Sequence, residues 1–386
     1  MQPARQVPLR TVGLLFLRLG ATSFGGPAAH IALMEDEIVR RRGWITHAEF
    51  LDLLGAANLI PGPNSTEMAI HIGHRVAGWK GLLVAGSCFI LPAAVIVAAL
   101  AWVYVRFAAL PPVAGVLYGV KPVVIAIVVQ ALWKLGRTCV KSWPLAALAV
   151  VAAALCAVGV HELAVLFGAG LLTALVRWLR TKPKPAGTTP LAVFGTALPW
   201  ANAVGGAAPF GLWPLFLVFL KVGAVLFGSG YVLLAFLRAD LVERTGWMTE
   251  QQLLDAIAVG QVTPGPVFTT ATFVGYVLAG PAGAVVATVG IFLPAFVFVA
   301  LSVPLLPRLR RSAIAGAFLD GVNVASLALM AVVTWQLGRA ALVDVPTVLL
   351  AAASAGLLLR YRINSSWLVL AGAAAGLIRV AVAGGA

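Results

Sequence analysis

Two stretches of the chain each place Pro-Gly-Pro in the middle of an apolar run: GAANLIPGPNSTEMAIHIG at residues 55–73 and IAVGQVTPGPVFTTATFVG at residues 257–275. Proline removes a backbone hydrogen-bond donor and breaks a helix, and glycine weakens one. The same break is therefore written twice, at Pro61-Gly62-Pro63 and at Pro264-Gly265-Pro266. A fold for this chain has to account for both breaks together.

The composition around the breaks is that of a polytopic membrane protein. The 386 residues are 61% hydrophobic and only 10% charged, with a mean hydropathy of +1.00, whereas soluble proteins carry about 25% charged residues. Apolar runs at 82–105, 113–132, 144–160 and 284–303 approach the roughly 20 residues that span a bilayer as a helix. The runs are continuous rather than alternating, so we predict an all-α polytopic membrane protein. The first apolar segment lacks a signal-peptide cleavage site, and we expect it to be retained.

Charge and motif content narrow the class of function further. The net charge of +14 comes from clusters at the ends of apolar runs, which is typical of Lys- and Arg-rich cytoplasmic loops and not of a nucleic-acid-binding domain. Cys88, Cys139 and Cys156 are scattered, and the five histidines form no cluster with metal-ligand spacing. No Walker loop and no nucleophile motif is present. We therefore predict no enzyme, no cofactor and no metal.

The chain is a tandem duplication. The two Pro-Gly-Pro motifs lie 203 residues apart, and residues 11–70 match residues 214–273 at 19 of 60 positions without a gap. Further on, an offset of 202 aligns Gly119 with Gly321 and Trp133 with Trp335. The repeat covers almost the whole length. It predicts a first repeat at residues 1–180, a linker rich in Pro, Gly and Lys at 181–211, and a second repeat at 212–386.

The positive charges favour opposite orientations of the two halves. In half one these charges lie on the side of the membrane from which the segment around Pro61-Gly62-Pro63 enters. In half two they lie on the side opposite to the entry of the segment around Pro264-Gly265-Pro266. The charges that carry this bias are Arg40–Arg42, Arg75, Lys80, Lys134, Arg137, Lys141 and 177–184 in half one, and Arg308, Arg310, Arg311, Arg360 and Arg362 in half two. By the positive-inside rule the halves are inverted repeats, a common plan of secondary transporters in which broken helices meet near the midplane. One conflict remains, because Arg5 and Arg10 would lie outside if residues 11–24 crossed the membrane fully.

Paired cations inside apolar segments are the first candidate site residues. Arg18 and Lys221 occupy matching positions of the repeat, and Lys121 matches Asn323. Ionisable groups within a bilayer are costly and are functional candidates. They either attract an anionic substrate or extend to the interface with their charged ends in water.

The residues that follow each break are the second set. Asn64-Ser65-Thr66 and 267–270, which include Thr269, begin new helices whose free N–H groups and hydroxyls can bind an anion. The alternative is a packing kink, because Pro and Gly are common in membrane helices. Asn58 and Gln261 are repeat mates just before the breaks, and their amides serve either an oxyanion or the broken backbone.

Carboxylates are candidates for a different role, because they repel an anion. Asp52 and Asp255 match in the repeat, and we expect them to pair with a cation, cap a helix or relay a proton. Glu67 follows the first break and has Thr270 as its mate. It either carries the coupling proton or pairs with Arg18, Lys121 or His71, and Asp320 is a similar candidate for pairing across the core.

The motifs together resemble the chromate ion transporter family, in its long-chain, two-domain form. They are Phe24-Gly25-Gly26-Pro27, the RRGW of residues 41–44, Pro-Gly-Pro with Asn64-Ser65-Thr66, and the second copy with Phe227-Gly228. The resemblance implies export of chromate at the inner membrane of a bacterium, with sulfate as a structural mimic and the membrane gradient as the energy source. Phe24, Gly25, Phe227 and Gly228 join the candidate binding residues because they carry this resemblance.

The sequence thus predicts a secondary transporter for a tetrahedral oxyanion. Chromate and sulfate are dianions of similar size and are not separated by this pattern. A flippase for an anionic lipid phosphate and a passive anion channel stay open as alternatives. The predicted partners are the oxyanion and membrane lipid, with no nucleic acid, and a homodimer is left open.

Overall fold

The computed structural model describes residues 6–24, 26–107, 110–180, 210–227, 230–309, 312–361 and 365–383. Within these ranges the protein is built from helices without β-strands. Six helices are long and apolar enough to cross a membrane. The prediction of an all-α polytopic fold is confirmed.

The first half contains seven α-helices. These are α1 (Leu9–Thr22), α2 (Gly26–Glu35), which continues as a π-helix (Asp36–Arg41), α3 (His47–Ala57), α4 (Asn64–Phe107), α5 (Pro111–Cys139), α6 (Trp143–Ala157) and α7 (Glu162–Arg180).

The second half repeats this order. Its elements are α8 (Leu212–Val225), a 3₁₀ turn (Gly230–Val232), α9 (Leu233–Leu237), a π-helix (Arg238–Arg244), α10 (Glu250–Val262), a 3₁₀ turn (Val267–Thr269), α11 (Thr270–Leu309), α12 (Ala313–Ala341), α13 (Val345–Tyr361) and α14 (Ser365–Ala383). The predicted linker lies outside the described residues for its positions 181–209.

Matching local signals start the short helices that lead into the two breaks. Thr46 caps α3 and Thr249 caps α10, and each forms a capping box with the residue three positions on, Glu49 or Gln252. A capping box satisfies two backbone N–H groups at the helix start. Both helices end just before Pro-Gly-Pro, so the two predicted breaks are present.

The helices after the breaks bend sharply at repeat-matched positions. Gly78 in α4 and Gly280 in α11 have φ of +63° and +62°, which glycine adopts without a steric penalty. A Cβ on Gly73 would lie 2.3 Å from the carbonyl oxygen of Gly81, so the arms of α4 before and after the bend pack backbone to backbone. Gly275 and Gly283 repeat this contact in α11. Each Pro-Gly-Pro therefore precedes a short helical arm that folds back on a long one.

The equivalent helices α5 and α12 run antiparallel to each other where the two halves meet. The end of α5 meets the start of α12, with Lys141 Nζ 2.8 Å from Asp320 Oδ1. A Cβ on Gly136 would lie 3.7 Å from Leu327, and a Cβ on Gly338 would lie 3.8 Å from Ile125. As residue numbers fall along α5, those of their partners rise along α12. Because α5 and α12 are equivalent helices of the two halves, the halves have opposite orientations.

The halves are also intertwined. Helix α5 packs on α12, α13 and α14 of the other half, and α12 packs reciprocally on α5, α6 and α7. Close approach of glycines makes this contact tight: a Cβ on Gly119 would lie 1.9 Å from the Gly372 carbonyl oxygen. In a membrane, small residues let helices associate through close backbone packing.

Candidate functional site

Each Pro-Gly-Pro docks onto the first helix of the other half. The Gly62 N–H donates to the carbonyl of Leu226, after α8, at 2.8 Å, and the Gly265 N–H donates to the carbonyl of Ser23, after α1, at 2.8 Å. Ser23 and Leu226 are themselves repeat mates, so the exchange is reciprocal. The six residues of the two motifs are buried. Because the central glycine N–H groups are used here, donors to an anion have to come from the residues that follow.

Buried polar side chains surround the first break, and we call this group the polar chamber. It consists of Ser23, His30, Ser65, Thr66, Glu67 and His71, each at most 3% exposed. His30 connects the start of α4 with the end of α1, since its Nδ1 lies 3.3 Å from Ser65 Oγ and its Nε2 lies 3.2 Å from the Ser23 carbonyl oxygen. The first turn of α4 thus presents hydroxyls at a helix N-terminus, where the aligned peptide dipoles favour negative charge.

Several polar atoms of the chamber have no hydrogen-bond partner among the described residues. They include both carboxyl oxygens of Glu67, Thr66 Oγ1, Ser23 Oγ and His71 Nε2. Buried polar groups are normally paired, and a buried unpaired carboxylate is costly in its charged form. Glu67 also lies directly against the break, since a Cβ on Gly62 would be 2.3 Å from Glu67 Oε1. This carboxyl group is suited to gaining and losing a proton beside the break.

The second break has an apolar lining. The repeat mates of Ser23, His30 and Ser65 are Leu226, Leu233 and Phe268, and His71 matches Phe273 in the register that aligns Gly73 with Gly275. The hydroxyls of Thr269 and Thr270 donate to the carbonyls of Pro266 and Val267, each at 2.8 Å. The duplicated break therefore has one polar copy and one apolar copy.

A cleft of about 510 Å³ lies beside the polar break, and we call it the lysine cleft. On the side of the break, Asn64 Nδ2 donates to Asn58 Oδ1 at 2.7 Å. Lys134 and Lys141 also line the cleft, with Asp320 paired to Lys141. Amide groups and lysine ammonium groups are donors that suit an oxyanion.

The predicted cations Arg18 and Lys221 form repeat-matched ion pairs. Arg18 pairs with Glu37 at 2.5 Å, and Lys221 pairs with Asp240, the repeat mate of Glu37. Lys221 is 3% exposed and the Arg18 side chain is 53% exposed. Both carboxylates are shared, since Glu37 also pairs with Arg41 and Arg42 and Asp240 also pairs with Arg244. A role of Arg18 and Lys221 in binding substrate stays a prediction.

Lys121 and Asp255 contact each other. Lys121 Nζ lies 2.9 Å from Asp255 Oδ1 and donates to Gln251 Oε1 at 2.7 Å, while the Tyr104 hydroxyl donates to Asp255 Oδ2 at 2.9 Å. Of the alternatives for Asp255, pairing with a cation is the one observed. The alternative that Glu67 pairs with Arg18, Lys121 or His71 is wrong, because neither carboxyl oxygen of Glu67 has a hydrogen-bond partner among the described residues.

The remaining candidates are dispersed. The amide nitrogen of Gln261 has no hydrogen-bond partner among the described residues. Phe24 is 42% exposed whereas Phe227 is 5% exposed, so the two Phe-Gly pairs do not form equivalent surfaces. Asp52 is exposed on α3. Gly25 and Gly228 lie outside the described residues.

The sequence reasoning missed four residues of this region: Ser23, His30, Lys134 and Lys141. A signal for the first two was present, because each is polar where its mate in the second half is leucine. The sequence identifies the two lysines only as markers of topology, because their place in the cleft depends on the contact between α5 and α12.

Comparison with known proteins places these features in a family. The sequence profile described as chromate transporter matches residues 10–174 and 213–377. The chain is 36% identical to the chromate transport protein of Cupriavidus metallidurans over 376 residues, 95% of this chain and 92% of that protein. It is 34% identical to the chromate transport protein of Pseudomonas aeruginosa over 377 residues, 94% of this chain and 90% of that protein. A probable chromate transport protein of Synechococcus elongatus is 34% identical over 350 residues, 89% of this chain and 88% of that protein. No solved structure matches the chain significantly.

Proposed function

The chain belongs to the chromate transporter family, and we propose that it is a secondary transporter that exports a tetrahedral oxyanion, chromate foremost, across a bacterial cytoplasmic membrane. Sulfate is the expected mimic. The observation that carries the proposal is the polar break of half one: an N-terminal helix turn with buried hydroxyls, beside a cleft lined by amides and lysines. The repeats correspond to residues 1–180 and 212–386.

The proposed binding groups lie where the lysine cleft borders the first break. Asn58 and Asn64, which line the cleft, supply amide donors, and the buried Ser65 and Thr66 supply hydroxyls at the start of α4. Hydrogen bonds to a charged partner are stronger than neutral ones. The apolar copy at Phe268 serves as a wall rather than as a second set of donors.

Glu67 is the proposed proton carrier, ahead of Asp52 and Asp255. Asp255 is already paired with Lys121, and Asp52 is exposed on α3. When a dianion occupies the break, a neutral Glu67 avoids repulsion between like charges. A dianion leaving a cell with a negative interior gains about 2.3 kcal/mol per elementary charge per 100 mV, so the membrane potential favours export even if a proton leaves with the anion.

The lysine cleft is proposed to open to the cytoplasm. Helices α5 and α7 end on the same face because α6 returns the chain between them. That face carries Lys134, Arg137, Lys141, Arg177 and Arg180. The opposite face carries Arg106, Arg339 and Arg379 together with Glu162 and Asp344. The richer positive face is the cytoplasmic one under the positive-inside rule.

The test is transport by purified protein in liposomes. Chromate, sulfate, phosphate and molybdate are loaded in turn under a defined pH gradient, and efflux is compared with that from protein-free liposomes. Counterflow of sulfate distinguishes a carrier from a passive channel. Flux of every anion at the protein-free rate would refute the proposal.

A groove between α1 and α4 favours a second candidate, a carrier for an anionic lipid phosphate. Its volume is about 660 Å³, and it places Arg18 among apolar side chains that face outward, which are Leu14, Leu17, Ala21, Leu91, Pro92, Val95 and Ile96. Such a surface fits an acyl chain with a phosphate beside the guanidinium group. Movement of labelled phospholipid between leaflets of the same liposomes would support this candidate, and anion flux without lipid movement would reject it.

A further inference from the structure

The lysine cleft contains more positive charge than its ion pairs neutralise. Lys141 pairs with Asp320, but Lys134 has no ion pair within the described ranges. Lys134 lies in the last turns of α5 and Lys141 lies just beyond its end, and both line the cleft. A cation that faces a concave, partly dehydrated surface raises the local concentration of anions more than the same cation on a convex surface.

This charge belongs to one half only. The repeat mates of Lys134 and Lys141 are Gln336 and Val343, and the mate of Asp320 is Tyr118. On the opposite face the equivalent contact is formed by the Tyr118 hydroxyl, which donates to Asp344, with Arg379 3.4 Å from the same carboxylate. The duplication therefore places one polar contact between the α5 and α12 regions at each face of the protein. Only the contact at the lysine cleft includes lysines.

From this geometry we propose that the mouth of the lysine cleft is a loading site for divalent oxyanions, in which the anion binds Lys134 and Lys141 and displaces Asp320 from Lys141. The proposal rests on the proposed transport function, and it adds an entry step and a basis for selection. Asp320 accepts one charge-assisted hydrogen bond from Lys141 at 2.8 Å. A dianion that contacts both ammonium groups interacts more strongly than this single carboxylate, whereas a monovalent anion has no comparable advantage.

The proposed site and the two amides share one cleft, which is lined by Lys134 and Lys141 as well as by Asn58 and Asn64. An anion can therefore pass from the ammonium groups to the amides. The buried hydroxyls of Ser65 and Thr66 follow Asn64 directly in the chain. Asp320 acts as a competitor at the entrance that monovalent anions do not displace.

Kinetics of sulfate efflux from liposomes test the role of Lys134. We expect Lys134→Gln to raise KM for sulfate about tenfold while kcat stays within about twofold. The substitution removes one of the two ammonium groups that bind the anion at the loading site, and it leaves the first Pro-Gly-Pro break unchanged. Arg137→Gln is the matched control, since Arg137 is an exposed cation on the same helix that does not line the cleft. Equal KM values for the two variants would overturn the proposal.

Asp320→Asn tests the selection step. Without the competing carboxylate, sulfate KM is expected to fall several-fold, and nitrate is expected to become an inhibitor at concentrations that leave the wild type unaffected. Unchanged nitrate sensitivity together with unchanged sulfate KM would overturn the role of Asp320. Elution of the purified variants at the wild-type position in size-exclusion chromatography shows that they are folded.

Cys139 is a native reporter of binding that does not depend on transport. Its thiol lines the cleft, and Cys88 and Cys156 are replaced by serine so that it reacts alone. An anionic methanethiosulfonate is expected to modify Cys139 faster than a neutral one, and sulfate is expected to slow modification in the wild type but not in Lys134→Gln.

The two readouts separate the claims. If the protein transports oxyanions but sulfate gives Cys139 no protection, the loading site is wrong and the transport function stands. If sulfate protects Cys139 but no anion moves, the transport function is wrong and the binding site stands.

Discussion

At the scale of single residues, the two copies of the break have diverged in polarity while keeping their backbone. Ser23, His30 and Ser65 gather at the first break, and leucine, leucine and phenylalanine occupy the matched positions at the second. The reciprocal hydrogen bonds of Gly62 and Gly265 are nevertheless the same length. The backbone exchange is thus independent of the side chains, which are free to specialise for binding in one half.

Substitution of Glu67 tests proton coupling. Glu67→Gln keeps the shape of the side chain but carries no titratable proton. We expect sulfate counterflow to persist in liposomes, whereas the dependence of net flux on the pH gradient should disappear. Glu243→Gln, which changes an exposed carboxylate, is the control and should behave as the wild type. A Glu67→Gln protein with normal pH-driven flux would contradict the assignment.

Thr66 tests the hydroxyl donors of the break. Its hydroxyl is buried and has no hydrogen-bond partner in the part of the chain that the structure describes, and hydrogen bonds to a charged group contribute about 1.5–3 kcal/mol. Thr66→Val is therefore expected to raise KM for sulfate by about tenfold or more. Thr334→Val is the matched control, because the Thr334 hydroxyl is also buried but donates to the Met330 carbonyl within α12. Similar KM values for the two variants would show that Thr66 does not contact the anion.

At the scale of the element, the sequence predicted the breaks, the order of helices and a cation partner for Asp255, but not the carboxylate partners of Arg18 and Lys221. Pro-Gly-Pro acts locally through backbone geometry, so its effect is visible in the sequence itself. The sequence predicts that Arg18 and Lys221 either attract an anion or extend to the interface, whereas each pairs with a carboxylate 19 residues further along the chain. That pairing depends on how α1 packs beside the π-helix. The matching acids, Glu37 and Asp240, were a signal in the repeat alignment.

The glycine contacts within α4 give a prediction of assembly. A Cβ at Gly73 would overlap the Gly81 carbonyl, so Gly73→Ala forces the two arms apart. Overpacking of a tight contact costs about 1–3 kcal/mol, and we expect a lower melting temperature and lower yield in detergent. In Gly168→Ala the added methyl meets no atom within 4 Å, and alanine favours the helix. If both variants melt alike, the arms are not packed as described.

The cap of α3 gives a prediction about pH. Glu49 accepts from the Thr46 N–H and pairs with Arg75, and both contacts lower its pKa from the usual 4.5. A lowered folded-state pKa means that this stabilisation is present above the unfolded pKa and is lost as pH falls below it. Glu49→Gln keeps the capping box, as Gln252 does in half two, but carries no charge. Its melting temperature should therefore fall less steeply than that of the wild type as the pH is lowered below about 4.5. Parallel curves would show that Glu49 is not perturbed.

At the scale of the whole molecule, inversion and interlocking follow from one arrangement. The Pro-Gly-Pro motif of each half donates a hydrogen bond to the residue that follows the first helix of the other half. Polar side-chain contacts join the α5 and α12 regions at both faces of the protein. An inverted pair of this kind has two equivalent ways to open, one towards each side of a membrane. The asymmetry of the lysine cleft then distinguishes the loading side from the release side.

The antiparallel register of α5 and α12 is testable by cross-linking. In a background without the native cysteines, Gly136→Cys with Leu327→Cys should react efficiently with a short thiol-specific cross-linker, since these positions are in contact. Gly136→Cys with Gly338→Cys joins repeat mates, which would lie at one level if the halves were parallel. In the antiparallel arrangement Gly338 is eleven residues, or about 16 Å at 1.5 Å per residue, from the level of Leu327. Efficient cross-linking of the mates, with none between residues 136 and 327, would refute inversion.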